Sequence, residues 1–284
     1  MNEWILHILE TPEEMTAVEQ LQRLVWAAPD IEIVPKDMLL AMVHNGGLAI
    51  GAYVGTDLIG VTFGFPGTYP TPDGPRLKHH SHILAVHPDW ASQGIGFALK
   101  RAQWQMIRKQ GLDRITWTYD HLLSRNAHLN ITRLGAVCST YLRSEYGEMK
   151  DSLNAGLPSD RFLVDWWINT TRVWRRLSRR SRPSLKLQHF RMAEATLLEA
   201  RPGTTPAAIQ PAQADPELAG TLLLIEIPSD FLALKSADLP LARAWRTYTR
   251  AVFEEAFATG YLVTDFVHDQ GRSFYVLTHG ETTL

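Results

Sequence analysis

The 284-residue chain has one cysteine, Cys138. A single thiol excludes an internal disulfide, so the core must hold the fold, and such sparing cysteine use fits a reducing compartment. The sequence also lacks an apolar run of about 18 residues and a charged-apolar-small leader, so neither a membrane-spanning helix nor a signal peptide is expected, and the chain reads as soluble and cytoplasmic. Charge of one sign is missing too: the formal net charge is −2, which leaves no overall field for nucleic acid. There is no low-complexity tract and no repeat of solenoid period. A Gly-x-Ser-x-Gly elbow, a Gly-x-Gly-x-x-Gly fingerprint and a P-loop with its lysine are all absent. His79, His80, His82 and His87 crowd together, but no carboxylate or cysteine stands at ligand spacing and neighbouring strand residues point to opposite faces, so no metal is expected.

Hydrophobic residues make up 45% of the chain and nine are tryptophan, enough for one large domain or two ordinary ones. The most informative stretch is His80 to Leu99. Its apolar strand Ile83-Leu84-Ala85-Val86 passes through His-Pro into a loop that ends Gln93-Gly94-Ile95-Gly96 at the head of an amphipathic helix. A strand, a glycine turn and a helix N-terminus form an anion cradle, because the glycines let backbone N–H groups approach a ligand and the helix end adds partial positive charge. Phosphate or pyrophosphate is the chemistry that fits.

Around that stretch the pattern predicts a strand at 4–9, a helix opened by Thr11 as N-cap with Pro12 and Glu14 behind it, and a short helix from Pro35 to Asn45. Strands at 48–54 and 58–65 form a hairpin, and 66–78, with four prolines, reads as a loop bordering a pocket. After the central strand, Ile95, Ala98, Leu99, Ala102 and Met106 make an apolar helix face. A strand at 115–119, a helix at 124–134 closed by Gly135 and strands at 136–142 and 161–168 follow. The arginine-rich run 172–182 reads as a solvated helix or linker, with an arginine face for a phosphate as the sharper alternative. Beyond it, short strands are expected at 187–192 and 196–199, a strand at 222–227, a helix at 239–259 and a closing hairpin at 261–278.

Val86-His87-Pro88 followed by Gln93-Gly94-Ile95-Gly96 resembles the acyl-CoA-binding motif of the GNAT superfamily of N-acyltransferases, and Asn126 with Arg133-Leu134-Gly135-Ala136 is similar to a later helix of that family. The resemblance covers about residues 1–170. It implies an α/β (α+β) fold with a mixed, mostly antiparallel central sheet flanked by helices, followed by a smaller C-terminal α/β unit. With the residues that follow, the expected division is 1–170 for the acyltransferase domain, 171–186 for a basic linker or helix and 187–284 for a second unit, which the apolar face of the 239–259 helix leads us to expect packed on the first. The resemblance further implies acetyl-CoA or another acyl-CoA as cosubstrate, held by Gln93, Gly94, Ile95, Gly96, Phe97 and Ala98, with Leu84, Ala85, Val86 and Asn126 completing the donor site. Two positions depart from the family pattern: Ala91 stands where Arg or Gln is usual, and Ile131 stands where many members carry the tyrosine that protonates the thiolate. The wording of residues 146–167 also looks like a GNAT branch, some members of which acylate amino acids.

An amine acyltransferase must take a proton from the ammonium, stabilise an oxyanion and protonate the departing thiolate. His80 and His82, two apart on a strand and so on one face, are the candidate bases, in a pattern similar to the strand of arylalkylamine N-acetyltransferases. Tyr141 and Tyr146 are candidate acids in place of the missing tyrosine. A backbone N–H near Leu84 to Val86 is the candidate oxyanion donor, which requires a bulge. Arg161 would fork onto a substrate carboxylate, or else pair with Asp160 at a strand edge. The expected function is transfer of an acyl group to the amine of a small molecule, an amino acid among the candidates, with a homodimer left open and neither nucleic acid nor membrane as partner. The alternative is a non-catalytic acyl-CoA-binding or regulatory protein on the same scaffold.

Overall fold

The computed structural model describes residues 4–26, 32–149, 151, 153–178, 185–203, 208–212 and 218–280. It is a mixed α/β protein whose strands pair mostly antiparallel. The chain divides into two compact units, one of residues 1–117, 150–153 and 167–169 and the other of 118–149, 154–166 and 170–284. No helix among the described residues is long and apolar enough to cross a membrane.

In the first unit β1 (Ile5–Ile8), β2 (Leu48–Val54), β3 (Asp57–Tyr69) and β4 (Arg76–Val86) form an antiparallel run, and β5 (Arg114–Tyr119), which begins in this unit, lies parallel to β4. α1 (Pro12–Trp26) starts as its sequence demands: Glu14 Oε2 accepts from the N–H groups of Glu10 and Thr11 at 2.7 and 2.9 Å, while Thr11 Oγ1 accepts from Glu14 N at 3.3 Å. This reciprocal cap satisfies donors that a helix start otherwise leaves open. The helix then lays Met15, Val18 and Leu21, with Leu39 of α2 (Lys36–His44), on Val61, Phe63, Ile83 and Ala85 of the sheet. Side chains this size contribute about 1.5–3 kcal/mol each when fully buried.

The proline-rich stretch 66–78 is not one loop. β3 runs on to Tyr69 and β4 starts at Arg76, with Pro66 paired to His79. Proline is tolerated there because β2 has already ended its pairing at Leu48↔Gly64, so no neighbour on that side needs a donor. α3 (Ile95–Lys109) also differs from its expected face: Ile95, Leu99, Lys100, Gln103, Trp104 and Ile107 are buried, and Ala98, Ala102 and Met106 are only partly covered. The indole of Trp104 sets this rotation by donating to Ile168 O at 2.9 Å.

The second unit holds α4 (Ser124–Ala127), β6 (Val137–Leu142), β7 (Arg161–Trp167, as far as Trp166), α5 (Thr171–Leu177), α6 (Leu187–Met192), β8 (Thr196–Leu198), β9 (Leu222–Ile227), α7 (Phe231–Ala237), α8 (Leu239–Ala258), β10 (Tyr261–Asp269) and β11 (Arg272–His279). Its strand order is β7-β6-β10-β11-β9-β8, all antiparallel except β8 with β9. β6 and β7, which precede residue 170, fall in this unit, where β6 bonds to β10 through Val263↔Cys138 as well as to β7. Phe162 of β7 sits among Tyr119, His121, Tyr141, Phe253, Phe257 and Tyr275, an aromatic core drawn from both sides of residue 170.

Three further expectations change here. Leu187–Met192 is a helix, not a strand, and buries Leu187 and Phe190, three residues apart on one face. The helix expected at 124–134 becomes a π-helix over His128–Arg133 before Gly135 closes it in the left-handed region at φ +78°. Two arginines of the described part of the run are tied into the protein, with Arg175 between them exposed: Arg172 Nε donates to Gly135 O at 2.9 Å, its other arm reaches Thr264 O, and Arg176 bonds Asp265 Oδ2 at 2.6 Å. Those guanidiniums cap carbonyls and pair a carboxylate, which leaves them no part in a phosphate site. Residues 179–182 of the run lie outside the described residues.

Candidate functional site

β4 is the element on which the first unit's candidates meet. Its ladder with β3 is regular until Phe63↔Ile83 is followed by Gly64↔Ser81, so His82 is an extra residue and the strand carries a bulge there. A bulge reverses the alternation of faces. Before it, His79 and Ser81 face α3, where Gln103 Nε2 lies 3.2 Å from His79 Nε2 and Lys100 Nζ lies 2.7 Å from Ser81 Oγ. After it, Leu84 and Val86 face α3 beneath Gly96. Ile83 and Ala85 instead join the α1 and α2 core, and His80, half-buried, and His82, exposed, lie on that side at its margin, their rings 5.4 and 5.8 Å from that of Phe65.

His80 and His82 thus share a face, as their spacing predicts, with ring centroids 5.9 Å apart. The bulge sits at 81–83 and not at 84–86, so the freed backbone lies at His82, beside the rings. Loss of hydration lowers both pKa values, that of His80 to about 4, with His82, Lys78 and Lys100 adding repulsion. At neutral pH both imidazoles are unprotonated bases. Thr116 Oγ1 stands 3.5 Å from His80 Nδ1.

The other end of β4 leads into the glycine turn. His87 N donates to Ile59 O at 2.8 Å, and His87 Nδ1 accepts from Asp89 N at 3.2 Å, starting a single turn at Pro88–Trp90. Ser92 and Gly94 follow with φ +66° and +84°, left-handed values that swing the chain into α3. The first intrahelical bond is Ala98 N to Gly94 O at 3.0 Å, so the amides of Ile95 and Gly96 have no acceptor within the helix. A Cβ built on Gly94 meets nothing within 4 Å, and one on Gly96 meets only Leu84 and Val86 at 3.8 Å. Neither glycine is therefore crowded by protein at its Cα, as close approach of an anion to these amides would require. Gln93 stays exposed, its amide donating to Asp89 O at 3.3 Å.

The remaining candidates belong to the second unit. Tyr141 donates its hydroxyl to Asp160 Oδ2 at 2.7 Å, and burial followed by that carboxylate holds its pKa far above the usual phenol value. Tyr146 is 46% exposed, its hydroxyl 2.6 Å from Thr118 Oγ1. Asn126 lies on α4, partly buried. Arg161 is buried and bonds Asp160 O, Asn154 Oδ1 and Met149 Sδ, with its guanidinium over the Tyr146 ring. It ties Met149, Asn154 and Asp160 together, taking the backbone carbonyl of Asp160 as acceptor. The partner of Asp160 is Arg250, at 2.8 and 2.9 Å.

Sequence reasoning missed Lys100, Gln103 and Ser81 on the α3 face, and Gly64, whose hypothetical Cβ would lie 2.3 Å from His79 Nε2. The signal for the helix pair was the run Ile95, Leu99, Gln103, Ile107, a stripe of period four that sets the inward face. Also missed was Asp120, buried and bidentate with Arg246 at 2.5 and 2.9 Å. Among the described residues no group of three or more His, Cys, Asp and Glu is placed to hold a metal ion.

No protein-family model matches the chain, and no curated protein matches it. Among solved structures it is similar to an acetyltransferase of the GNAT family from Desulfovibrio desulfuricans, at 16% identity over 58% of this chain and 99% of that one, TM-score 0.44. It is also similar to a GNAT-family acetyltransferase from Streptococcus pneumoniae, at 12% identity over 57% and 98%, TM-score 0.45. A third is an aminoglycoside acetyltransferase from an uncultured soil metagenomic sample, at 17% identity over 42% and 79%, TM-score 0.37.

Proposed function

We propose that the chain is an acyl-CoA-dependent N-acyltransferase of the GNAT kind, which passes an acyl group, acetyl being the simplest, directly to the amine of a small molecule. The observation that carries this reading is the double use of β4: one strand presents two unprotonated imidazoles beside a bulge and ends in a left-handed glycine turn at the head of a 15-residue helix. An enzyme that brings a pyrophosphate-bearing donor to an amine needs those two features a few residues apart.

In this reading the turn Gln93 to Ala98 holds the donor's pyrophosphate and the edge Leu84 to Val86 receives its extended arm. His80 or His82 takes the proton of the substrate ammonium. The amine nitrogen then bonds to the thioester carbon, the carbonyl pair moves onto oxygen and is stabilised by the backbone freed at the bulge, and collapse breaks the C–S bond with the pair leaving on sulfur. Tyr141 is set aside as the proton donor to that thiolate, since its proton is committed to Asp160. Asn126 stays a donor-site candidate by resemblance. Arg161 is withdrawn as the substrate's carboxylate fork, because protein acceptors already take its arms.

The test pairs calorimetry with thiol release. CoA should bind the parent protein and bind Gly96→Asp far more weakly, since the new carboxylate would face the pyrophosphate while its Cβ meets only ordinary contacts at 3.8 Å. Free thiol should appear when acetyl-CoA is mixed with a panel of amines and amino acids. A parent protein that does not bind CoA overturns the reading, and binding without turnover on any amine supports the non-catalytic alternative.

A further inference from the structure

Lys100 is enclosed, with 1% of its surface exposed, on the α3 face of β4 opposite the two imidazoles. Its ammonium donates to Ser81 Oγ at 2.7 Å and Gln103 Oε1 at 3.3 Å, and lies 3.8 Å from the centroid of the Trp117 ring. Two oxygens and a π face match its three N–H donors, and among the described residues no carboxylate pairs with it. Because Gln103 gives its oxygen to Lys100, its amide nitrogen must donate to His79 Nε2, which places the His79 proton on Nδ1, an atom with no partner.

The position is as telling as the partners. The parallel ladder of β4 with β5 consists of His79↔Ile115 and His80↔Thr116 and ends there, although β4 continues to Val86. Ser81 and Trp117 are the next residues of the two strands, so the ammonium sits in the crotch where they part, one residue from the bulge at His82. A buried charge without a counter-ion is costly to keep, and one kept beside freed backbone is placed to favour an anion.

We propose that Lys100 is a positioning residue of the acyl-transfer site: wedged in the fork between Ser81 and Trp117, it fixes the bulge at His82 and turns a positive charge toward the oxyanion that forms there. This rests on the acyltransferase reading. Lys100 takes up no proton and forms no bond in the step; the electron pair moves from the thioester carbonyl to its oxygen, and then with the broken C–S bond to sulfur. The groups facing it are few. On that face β4 presents neutral His79, lowered to about 3; α3 presents Gln103; β5 presents Trp117; and β3 presents Gly60, Thr62 and Gly64, none of which titrates, while His80, lowered to about 4, and Thr116 stand on the other face and act on Lys100 only through the strand. Burial lowers Lys100 itself to about 7, so its charge is lost in the range where the imidazoles are already neutral.

The experiment is the pH profile of acetyl transfer, measured on the full chain with acetyl-CoA and the best amine of the panel. The parent should lose rate as pH rises through about 7, a limb opposite in sign to that of a general base. Lys100→Met should show kcat about 10-fold lower at about pH 6, a flat profile in place of that limb, and nearly unchanged CoA affinity, since removing an opposite charge near a developing anion is a change of about one pKa unit. Gln103→Glu, close in shape, serves if the methionine variant does not fold. Its carboxylate should hold Lys100 charged to higher pH, moving the limb upward, while cancelling the field and lowering kcat by a similar factor. Parent-like kcat and limb in the folded variants overturn the proposal. A parent that binds CoA but acylates nothing fails the acyltransferase reading, and takes the proposal with it.

Discussion

In the second unit, Asp120 meets Arg246 through two bonds, Asp160 meets Arg250 through two more, and Glu226 meets Arg272 at 2.6 and 2.7 Å. On β4 and α3 of the first unit, Lys100, His79, His80 and His82 are crowded together with serine, glutamine, threonine and aromatic rings as neighbours. The consequences for protonation are opposite. Arg246 offsets the desolvation of Asp120 and drives its pKa well below the usual carboxylate range, fixing the charge. Desolvation without compensation drives the first unit's bases down until they are neutral, or close to it, at physiological pH. Paired charges hold elements together, and unpaired bases stay available for proton transfer.

Removing the imidazoles is the sharpest way to test that contrast. His80→Gln/His82→Gln should lower turnover by about 100- to 10,000-fold at neutral pH with little change in CoA affinity, as general-base removal does. The acid limb of the parent should lie near the lowered His80 value of about 4 and not near 6.5, and the double variant should lose it. Parent-like rates in that variant would return both histidines to a packing role.

Breaking a paired charge should act on stability instead. Asp120→Ala leaves Arg246 buried without its partner and should cost about 3–5 kcal/mol in chemical denaturation. The pH dependence separates the two regions. Asp120, depressed in the folded state, contributes stability that is complete above its unfolded value of 3.8 and lost as pH falls through the folded one. His79 and His80 are depressed from 6.5, so the unfolded chain binds their protons first and stability starts to fall below about pH 6.5. Acid titration of the parent should thus show an early decline that Asp120→Ala retains and His80→Gln reduces.

The smallest effect concerns Gly64, which the His79 ring and the His80 carbonyl both approach. A Cβ there would lie 2.3 Å from His79 Nε2 and 2.4 Å from His80 O, so Gly64→Ala should destabilise by about 1–3 kcal/mol, the cost of overpacking. Because the displaced ring bonds Gln103, which also holds Lys100, this variant should disturb the α3 face before the imidazole face. Unaltered melting would show that β4 shifts to accept the methyl.

Much of the element order was legible in the residues. The Thr11-Pro12-Glu14 start, the Gly55 hairpin, the β4-turn-α3 stretch and the 239–258 helix all formed as expected, because each is set by local chemistry: a cap, a left-handed glycine or a sustained periodicity. Pro66 and Leu187–Met192 were misread because their state depends on neighbours, the first on where β2 stops pairing and the second on packing against the core of β9, β10 and β11. The pairing of β6 with β10 was not legible for a similar reason, since a composition shift in the arginine run says nothing about which strands bond across it.

The sequence by itself determined the candidate anion turn, because Gly94 and a helix start are local features that need no partner to take shape. It also determined that His80 and His82 share a face, since two residues along a strand is one pleat. Only the tertiary structure decided which face that is: one extra residue at 82 exchanges the two sides of β4, and a bulge is a property of the pairing with β3 and not of either strand alone. The burial of Lys100 was decided in the same way, for a lysine on an amphipathic helix reads as solvated until the rotation of α3 and the parting of β4 from β5 enclose it.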